Sequence, residues 1–135
     1  MATRTYNSKK VTMAVGNHIV SGYAADSFVT IEETGDGITS EAGADGEVVR
    51  SISPDPRHTV KISLMQNSPT NKFLLEQYKK DKTDATGSFP LLIKDLTSEE
   101  VFSADESWVV KKPPFSRGKA AGTREWELCA VGEFE

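Results

Sequence analysis

Hydrophobic and polar residues alternate along most of this chain. In the segment HTVKISLM, residues 58–65, the apolar side chains of Val60, Ile62 and Leu64 are separated by polar residues. A repeat of two places successive side chains on opposite faces of an extended chain, which is typical of a strand with one buried face. Residues 11–15 alternate in the same way. The pattern predicts a strand in both segments.

Further segments of strand character lie on either side of these two. They are residues 19–23, 28–33, 89–96, 107–112 and 124–131. In the last of them Trp126, Leu128 and Ala130 form the apolar set, which leaves Cys129 on the polar side. Pro90 cannot donate to a strand ladder, so it predicts either an edge strand or the start of a strand. About seven strands are expected in total.

One segment, SPTNKFLLEQYKKDK, follows a helical repeat instead. Ser68 is suited to the N-cap of a helix and Pro69 to its first position. Three apolar residues then recur at helical spacing, and these are Leu74, Leu75 and Tyr78. Phe73 extends this apolar face or lies at its margin. The segment predicts one amphipathic helix at about residues 69–81.

These elements define the expected fold class. Strands around one helix predict a mainly β protein, an antiparallel β-sandwich or barrel with one flanking α-helix. With 135 residues, of which 37% are hydrophobic and 27% charged, the chain is expected to fold as one globular domain, residues 1–135.

Residues 32–52 match neither the buried strands nor the helix. They contain four glycines, and their larger apolar residues are confined to Ile38, Val48, Val49 and Ile52. We interpret residues 37–51 as a long protruding β-hairpin with its turn near residues 42–46. An isolated hairpin is marginally stable in water, and its free edges attract other chains. A neighbouring molecule is therefore expected to order this hairpin.

The hairpin is consequently the candidate site, as a contact between subunits. The predicted contact residues are Ile38, Ala42, Gly43, Ala44, Asp45, Gly46, Glu47, Val48, Val49 and Arg50. A solvated loop does not need the aliphatic members of this set.

Candidate catalytic and metal-binding residues are few. Cys129 is the sole cysteine, so an intrachain disulfide is impossible, and its place in a strand predicts a small buried hydrophobe rather than a nucleophile. Neither His18 nor His58 has a second ligand at metal-binding spacing. The acidic, glycine-containing stretch 33–41 lacks the spacing of a calcium loop. No catalytic residue, metal or cofactor is predicted.

Two other residue patterns are also better explained without catalysis. Adjacent acids such as Glu32 and Glu33 face opposite sides of a strand, which does not suit joint acid–base chemistry. Trp108 and Trp126 each alternate with polar neighbours, which favours core positions over a ligand-stacking role. The chain is therefore not expected to be an enzyme.

Charge and the terminal sequence limit the partners. The 16 basic and 20 acidic residues give a net charge of −4, which argues against general affinity for nucleic acid. The N-terminal residues lack the apolar core of a signal peptide, and no apolar run approaches the roughly 18 residues of a membrane span. A product of the cytosol is expected.

Three motifs in order carry a resemblance to a known family. They are GADGEVVRS at 43–51, HTVKISLM at 58–65 and NSPTNKFLLEQY at 67–78, followed by a tryptophan strand around Trp126. In this order the chain resembles the tail tube proteins of bacteriophages with contractile tails. Among them it is most similar to a small family of phage structural proteins usually left as a domain of unknown function.

The resemblance implies a structural function without cofactors. Members of this family form hexameric rings that stack into a hollow conduit for DNA ejection inside a contractile sheath. The implied partners are further copies of the chain, the tail sheath protein, and baseplate and tail terminator proteins, while double-stranded DNA passes through without specific binding. The implied location is the phage tail of the virion, after assembly in the cytoplasm of the host bacterium.

Two alternatives remain open from the sequence. The first alternative to a tube subunit is a monomeric β-sandwich that binds carbohydrate or another small ligand, with Trp108, Trp126 or Tyr23 as a stacking platform. The second is a tube initiator or terminator. The last would form a single ring at one end of the tail.

Overall fold

The fold is mainly β with one α-helix, as the alternation predicts. A computed structural model describes residues 3–25 and 27–135 of the chain. The elements are a 3-10 turn at Ser8–Lys10, β1 Val11–Val15, β2 His18–Ile19, β3 Val29–Glu33, β4 Ile38–Ala42, β5 Val48–Ile52, β6 Arg57–Met65, α1 Pro69–Asp84, β7 Phe89–Asp95, β8 Glu100–Lys111 and β9 Thr123–Phe134.

Seven of the strands form one antiparallel sheet in the order β2-β1-β7-β8-β9-β6-β3, and β4 and β5 form a separate two-stranded sheet. The large sheet is strongly curled. The Val20 amide donates to the Met13 carbonyl on β1, and only four residues later the Ala24 amide donates to the Ser63 carbonyl on β6. Four strand spacings separate β1 from β6, about 19 Å in a flat sheet, whereas four extended residues span at most about 14 Å. The sheet must therefore fold back on itself.

The predicted sandwich or barrel is thus a single curled sheet. Among the described residues its terminal strands β2 and β3 are not paired with each other, so the barrel is not closed. The concave face holds one core. Strands β1, β6, β7, β8 and β9 contribute buried residues to it, and so does α1. The fully buried large side chains of the core include Trp126, Phe102, Met13, Ile62, Leu64, Leu74, Leu91 and Leu128.

The helix α1 begins where the sequence predicts and runs three residues further, to Asp84. The Ser68 side chain caps it by accepting a hydrogen bond from the Thr70 amide, and Leu74 is fully buried. Asn71 joins the helix to the sheet: its side-chain oxygen accepts a 2.8 Å hydrogen bond from the Trp126 indole. The helix therefore closes one end of the core.

His18 attaches the short strand β2 to the same helix. Its Nε2 atom lies 2.9 Å from the Thr70 hydroxyl, and its ring stacks on Phe73 at a centroid distance of 4.7 Å. His18 is thus a packing residue, and Phe73 lies at the margin of the helical apolar face, half-buried.

Two sequence predictions need correction. Pro90 lies at the second position of β7, near a strand start, but β7 is an interior strand and the edge alternative is wrong. A register shift between Phe89 and Leu91 accommodates it. Trp108 is half-buried rather than a core residue, because a second irregularity, between Ala104 and Glu106, reverses the alternation of β8.

Ser107 takes the inward position that Trp108 was predicted to hold. It is completely buried, and its hydroxyl donates a 2.7 Å hydrogen bond to the Phe89 carbonyl. Cys129, opposite Trp108, is half-buried on the outward face of β9, and this burial raises the pKa of its thiol. The prediction of a small buried hydrophobe at Cys129 is therefore correct only in part, because alternation along β9 turns its side chain away from the core.

Within the described ranges, no helix has both the length and the apolar character to cross a membrane.

Candidate functional site

The predicted hairpin exists and stands apart from the rest of the molecule. Strands β4 and β5 pair with each other from Ile38–Ile52 to Ala42–Val48, and every residue of both strands is exposed. Because both faces of this ribbon are exposed, it does not lie along its own sheet. All ten predicted contact residues belong to this ribbon or its turn.

The turn of the hairpin is tightly organised by its own backbone. The Gly43 amide donates to the Glu47 carbonyl, and the Gly46 amide donates to the Gly43 carbonyl. Gly46 has a φ of +88°, a value that residues with a Cβ adopt only with strain. The Asp45 carboxylate also accepts a hydrogen bond from the Glu47 amide. These contacts make the ribbon a defined structure despite its exposure.

The two faces of the ribbon differ in chemistry. One face carries the cross-strand pairs Ile38–Ile52 and Ala42–Val48, with Ser40–Arg50 between them. The opposite face carries Thr39–Ser51 and Glu41–Val49. The first face is therefore largely aliphatic. Sequence reasoning grouped Val48 with Val49, but strand alternation places them on opposite faces.

Ile52 is missing from the predicted contact set although it belongs to this apolar face. It pairs directly with Ile38 at the base of the ribbon and is 71% exposed. The sequence does indicate it, because Ile52 follows Val48 and Arg50 at a spacing of two residues and so lies on the same face of β5. The predicted hairpin ended one residue earlier, at residue 51.

The two arms at the base of the hairpin differ in backbone freedom, because one contains two prolines and the other contains glycine. Pro54 and Pro56 flank Asp55, whose carboxylate accepts three hydrogen bonds from the Arg57 side chain at 2.8–3.0 Å. This guanidinium holds the pKa of Asp55 below its usual range, which favours the ionised carboxylate that accepts these hydrogen bonds. The other arm passes through Gly35, at a φ of +78°.

The ribbon continues the β3–β6 hairpin after a break. The last backbone contact before the break is Thr34 amide to Arg57 carbonyl, and the first beyond it is Ser53 amide to Gly37 carbonyl. Sequence reasoning did not identify the Asp55–Arg57 pair as part of the site. Its signal is the sequence Pro-Asp-Pro-Arg at 54–57, in which the prolines hold the chain extended between two charges.

The residues considered for ligand stacking are poorly placed for that role. Trp126 is 1% exposed and its indole nitrogen is occupied by Asn71. Tyr23 is half-buried, which raises the pKa of its hydroxyl, and it packs on Phe28 at 4.6 Å. Trp108 is half-buried on the outward face of β8. No pair of these rings forms a stacking platform.

His58 packs against aromatic side chains. The His58 ring contacts Phe102 and Phe134 edge to face, at 5.1 and 6.3 Å, near the start of β6. In the described part of the chain, no three His, Cys, Asp or Glu residues are grouped so that they could hold a metal ion.

An open groove of about 580 Å³ lies at the end of the sheet from which the hairpin emerges. Its lining is mostly aromatic and aliphatic and includes Phe28, Val29, Ile31, Phe102 and Phe134. Strands β1, β3, β7, β8 and β9 all contribute to this lining.

Comparisons with known proteins agree with this structure. Residues 3–133 match the family model of the bacteriophage PhiTE tail tube protein. The chain is 28% identical over 134 residues to structural protein ORF10 of Pseudomonas phage KPP10, covering 93% of this chain and 78% of that protein.

Solved structures share the fold. The sheath/tube terminator of an extracellular contractile injection system, in its extended state, superposes with a TM-score of 0.71 at 8% identity, covering 100% of this chain and 99% of the other. The tube-terminating cap of the anti-feeding prophage gives 0.67 at 7%, covering 100% and 93%. The sheath–tube complex of the extracellular system gives 0.68 at 8%, covering 97% and 91%.

The family match spans almost the whole chain, so the resemblance found in the sequence motifs is confirmed. The chain belongs to the family of PhiTE-type bacteriophage tail tube proteins and is a structural component of the virion.

Proposed function

We propose that the chain is a self-assembling subunit of a phage tail tube, in which residues 1–135 act as one tail-tube-like domain. Hexameric rings of this subunit stack into a hollow conduit for DNA ejection inside a contractile sheath. The observation that carries the proposal is the hairpin. It holds four aliphatic residues, yet every residue of its two strands is exposed in the single subunit.

An ordered aliphatic ribbon gains stability from a second surface. Ile38, Val48, Val49 and Ile52 are between 59% and 71% exposed, so most of their apolar area remains available for burial. The predicted contact residues, Ile38 and Ala42 through Arg50, would form this contact with a neighbouring subunit. Such a contact joins different surfaces on the two copies, and it can close around a ring or repeat along an axis.

The role in the particle is passive. A net charge of −4 suits a conduit through which double-stranded DNA passes without specific binding, since carboxylates repel phosphate. The partners are further copies of this chain, the sheath protein, and baseplate and terminator proteins, and assembly takes place in the cytoplasm of the host bacterium. No catalysis and no cofactor are part of this function.

Deletion of residues 41–47 tests the proposal. The deleted segment contains no core residue, so the subunit should remain folded by circular dichroism while polymers disappear from sedimentation and electron microscopy. A matched control exchanges the same seven residues for a glycine-serine linker, which keeps the chain length and should fail equally. Normal tubes from the deleted chain would refute the role of the hairpin.

A second candidate is a tube initiator or terminator. The superposition on a tube-terminating cap and a sheath/tube terminator favours it, because these neighbours match as well as the tube complex does. Image analysis separates the two: a tube subunit forms long fibres at increasing concentration, whereas a terminator stops at single discs.

A further inference from the structure

The loop between β8 and β9 concentrates the positive charge of the chain. Residues 111–124 contain five basic residues and no acid, namely Lys111, Lys112, Arg117, Lys119 and Arg124. Five of the 16 basic residues therefore lie in this segment, and the other 121 residues hold 20 acidic residues against 11 basic ones. The loop is a strongly basic surface on an acidic protein.

Aromatic rings lie close to three of these loop cations and to Lys82 of α1. The Arg117 guanidinium carbon lies 4.1 Å from the centre of the Phe115 ring and that of Arg124 lies 5.7 Å from it. The Lys112 and Lys82 ammonium groups approach the Tyr78 ring at 5.9 and 5.7 Å. Across residues 3–25 and 27–135, none of these four cations has a carboxylate oxygen within 4.0 Å. Lys82, Lys112 and Arg117 are exposed and available to a partner. Arg124 is half-buried, with its Nε atom enclosed and without a hydrogen-bond partner in the described structure.

Two of these cations, Lys112 and Arg124, border an apolar groove of about 550 Å³. Its apolar lining is Leu75, Pro113, Pro114, Phe115 and Trp126, and its charged lining is Lys111, Lys112 and Arg124. Phe115 is 75% exposed, which is unusual for a phenylalanine on a monomer. Lys111, Lys112 and Arg124 also line a neighbouring groove, which contains Lys61 and the carboxylates of Glu125 and Glu127. We call this apolar groove with its cations the basic groove.

The hairpin has the opposite charge. Its residues 37–52 contain three acidic residues, Glu41, Asp45 and Glu47, against the single basic residue Arg50, and three further acids, Glu32, Glu33 and Asp36, precede it in the arm from β3. Aliphatic side chains lie among these acids on the ribbon, with Val49 directly opposite Glu41. An apolar ribbon with acids is chemically complementary to an apolar groove with cations.

The two surfaces lie at opposite ends of the subunit. On β6, His58 pairs with Glu33 at the end from which the hairpin leaves, while Met65 pairs with Thr123 at the end where the basic loop rejoins the sheet. Seven residues of strand separate these positions, about 23 Å. Since the hairpin also has both faces exposed, it does not neutralise the basic groove of its own subunit.

We propose that the acidic hairpin of one subunit docks into the basic groove of a second copy, so that subunits join head to tail through complementary charge. This inference rests on the proposed function and specifies the receiving surface and the attraction that selects it. A contact between opposite ends of identical subunits joins different surfaces on the two copies, and where its repeat does not close into a ring it stacks subunits along an axis.

A nucleic acid is the competing occupant of a basic, aromatic surface. The observations favour a second copy for two reasons. The acidic excess of the other 121 residues repels phosphate. The chain itself also supplies an acidic ribbon whose exposed aliphatic side chains need burial, which a phosphate backbone does not match.

Charge exchange between the two surfaces tests the inference. One variant carries Lys112→Glu in the groove with Arg117→Glu, which lies over the Phe115 ring beside it, and the other carries Glu41→Lys with Glu47→Lys in the hairpin. Asp45 is left unchanged because its carboxylate organises the turn. Each variant alone sets like charges against each other, so the concentration needed for assembly should rise about tenfold or more. An equimolar mixture restores opposite charges at every contact and should assemble near the wild-type concentration.

Lys79→Glu with Lys80→Glu is the matched control, since it changes net charge equally on an exposed part of α1 and should assemble normally. Independently, wild-type assembly should weaken as sodium chloride is raised, a measurement that needs no variant. If either charge variant does not fold, alanine at the same positions should still raise the assembly concentration, by a smaller factor.

Several results would overturn the inference. A folded groove variant that assembles like the wild type refutes it while leaving the proposed tube function intact, and so does a mixture that fails to recover. A groove variant that assembles normally but loses binding to a 30-base-pair duplex assigns the groove to nucleic acid instead. A wild-type chain that never assembles removes the proposed function together with the inference.

Discussion

Asn71 is the residue on which the junction between helix and sheet depends. Its side-chain oxygen accepts from the Trp126 indole at 2.8 Å, and its amide nitrogen lies 3.0 Å from the Met65 carbonyl and 3.3 Å from that of Gln66. Both side chains are buried, so water cannot replace these bonds. One polar side chain thus joins the end of β6, the start of α1 and the middle of β9.

Replacement of Asn71 by Ala should destabilise the subunit by about 2–3 kcal/mol, because it leaves the buried Trp126 N–H without a partner and removes the amide hydrogen bonds to the Met65 and Gln66 carbonyls. The measurement is the free energy of unfolding in denaturant, made on the 41–47 deletion background so that assembly does not contribute. Trp126→Phe removes the orphaned donor, and in a double-mutant cycle it should recover about 1 kcal/mol of the Asn71→Ala loss. Simple additivity of the two losses would contradict the pairing.

At the residue scale, sequence patterns predicted caps well and strand irregularities poorly. Ser68 and Pro69 identify the helix start because capping chemistry is local. The inward position of Ser107 instead of Trp108 depends on a bulge in β8, and the bulge depends on pairing with β9, which is distant in sequence. Likewise nothing near Asn71 indicates that its partner is 55 residues away.

The hairpin is the element on which function is proposed to depend, and its chemistry is divided between two faces. Its bounds could be predicted because glycines and isolated aliphatic residues mark them locally. Its faces could not, since the assignment requires the register, and a shift by one residue would reverse every side chain. The observed register places Ile38 opposite Ile52 and so creates one aliphatic face.

We expect the aliphatic face to bear more of the contact energy than the other face. Ile38→Thr with Ile52→Thr keeps strand propensity but removes apolar area, which should cost about 2 kcal/mol per contact and raise the assembly concentration about 30-fold. The readout is sedimentation velocity over a concentration series. The matched control alters the pair directly behind, Thr39→Ala with Ser51→Ala, and should change assembly little. If the control pair weakened assembly more than the isoleucine pair, the contact would instead be assigned to the Glu41–Val49 face.

At the scale of the whole molecule, the subunit is polarised along its strands. The acidic hairpin leaves at the Arg57 end of β6, and the basic loop rejoins the sheet opposite Met65. This arrangement follows from topology: β6 and β9 are antiparallel neighbours, so the hairpin before β6 and the loop before β9 lie at opposite ends. The charge of each segment is readable from the sequence, but their separation depends on strand pairing and could not be predicted from it.

The unfolding temperature of the subunit should depend on its assembly with other copies. If folded subunits bind one another and unfolded chains do not, mass action must raise the unfolding temperature as concentration increases. A tenfold increase in concentration adds about 1.4 kcal/mol per subunit contact, which for a domain of this size raises the melting temperature by about 5 °C. Differential scanning calorimetry across two decades of concentration measures this shift.

The chain lacking residues 41–47 should melt at one temperature throughout that range, because its core is unchanged while its contact is lost. The Lys112→Glu and Arg117→Glu variant should behave in the same way up to the higher concentration at which it assembles. A wild-type melting temperature that does not change with concentration would mean that the folded subunit gains nothing from its neighbours. The exposed aliphatic residues of the hairpin would then need an explanation other than self-assembly.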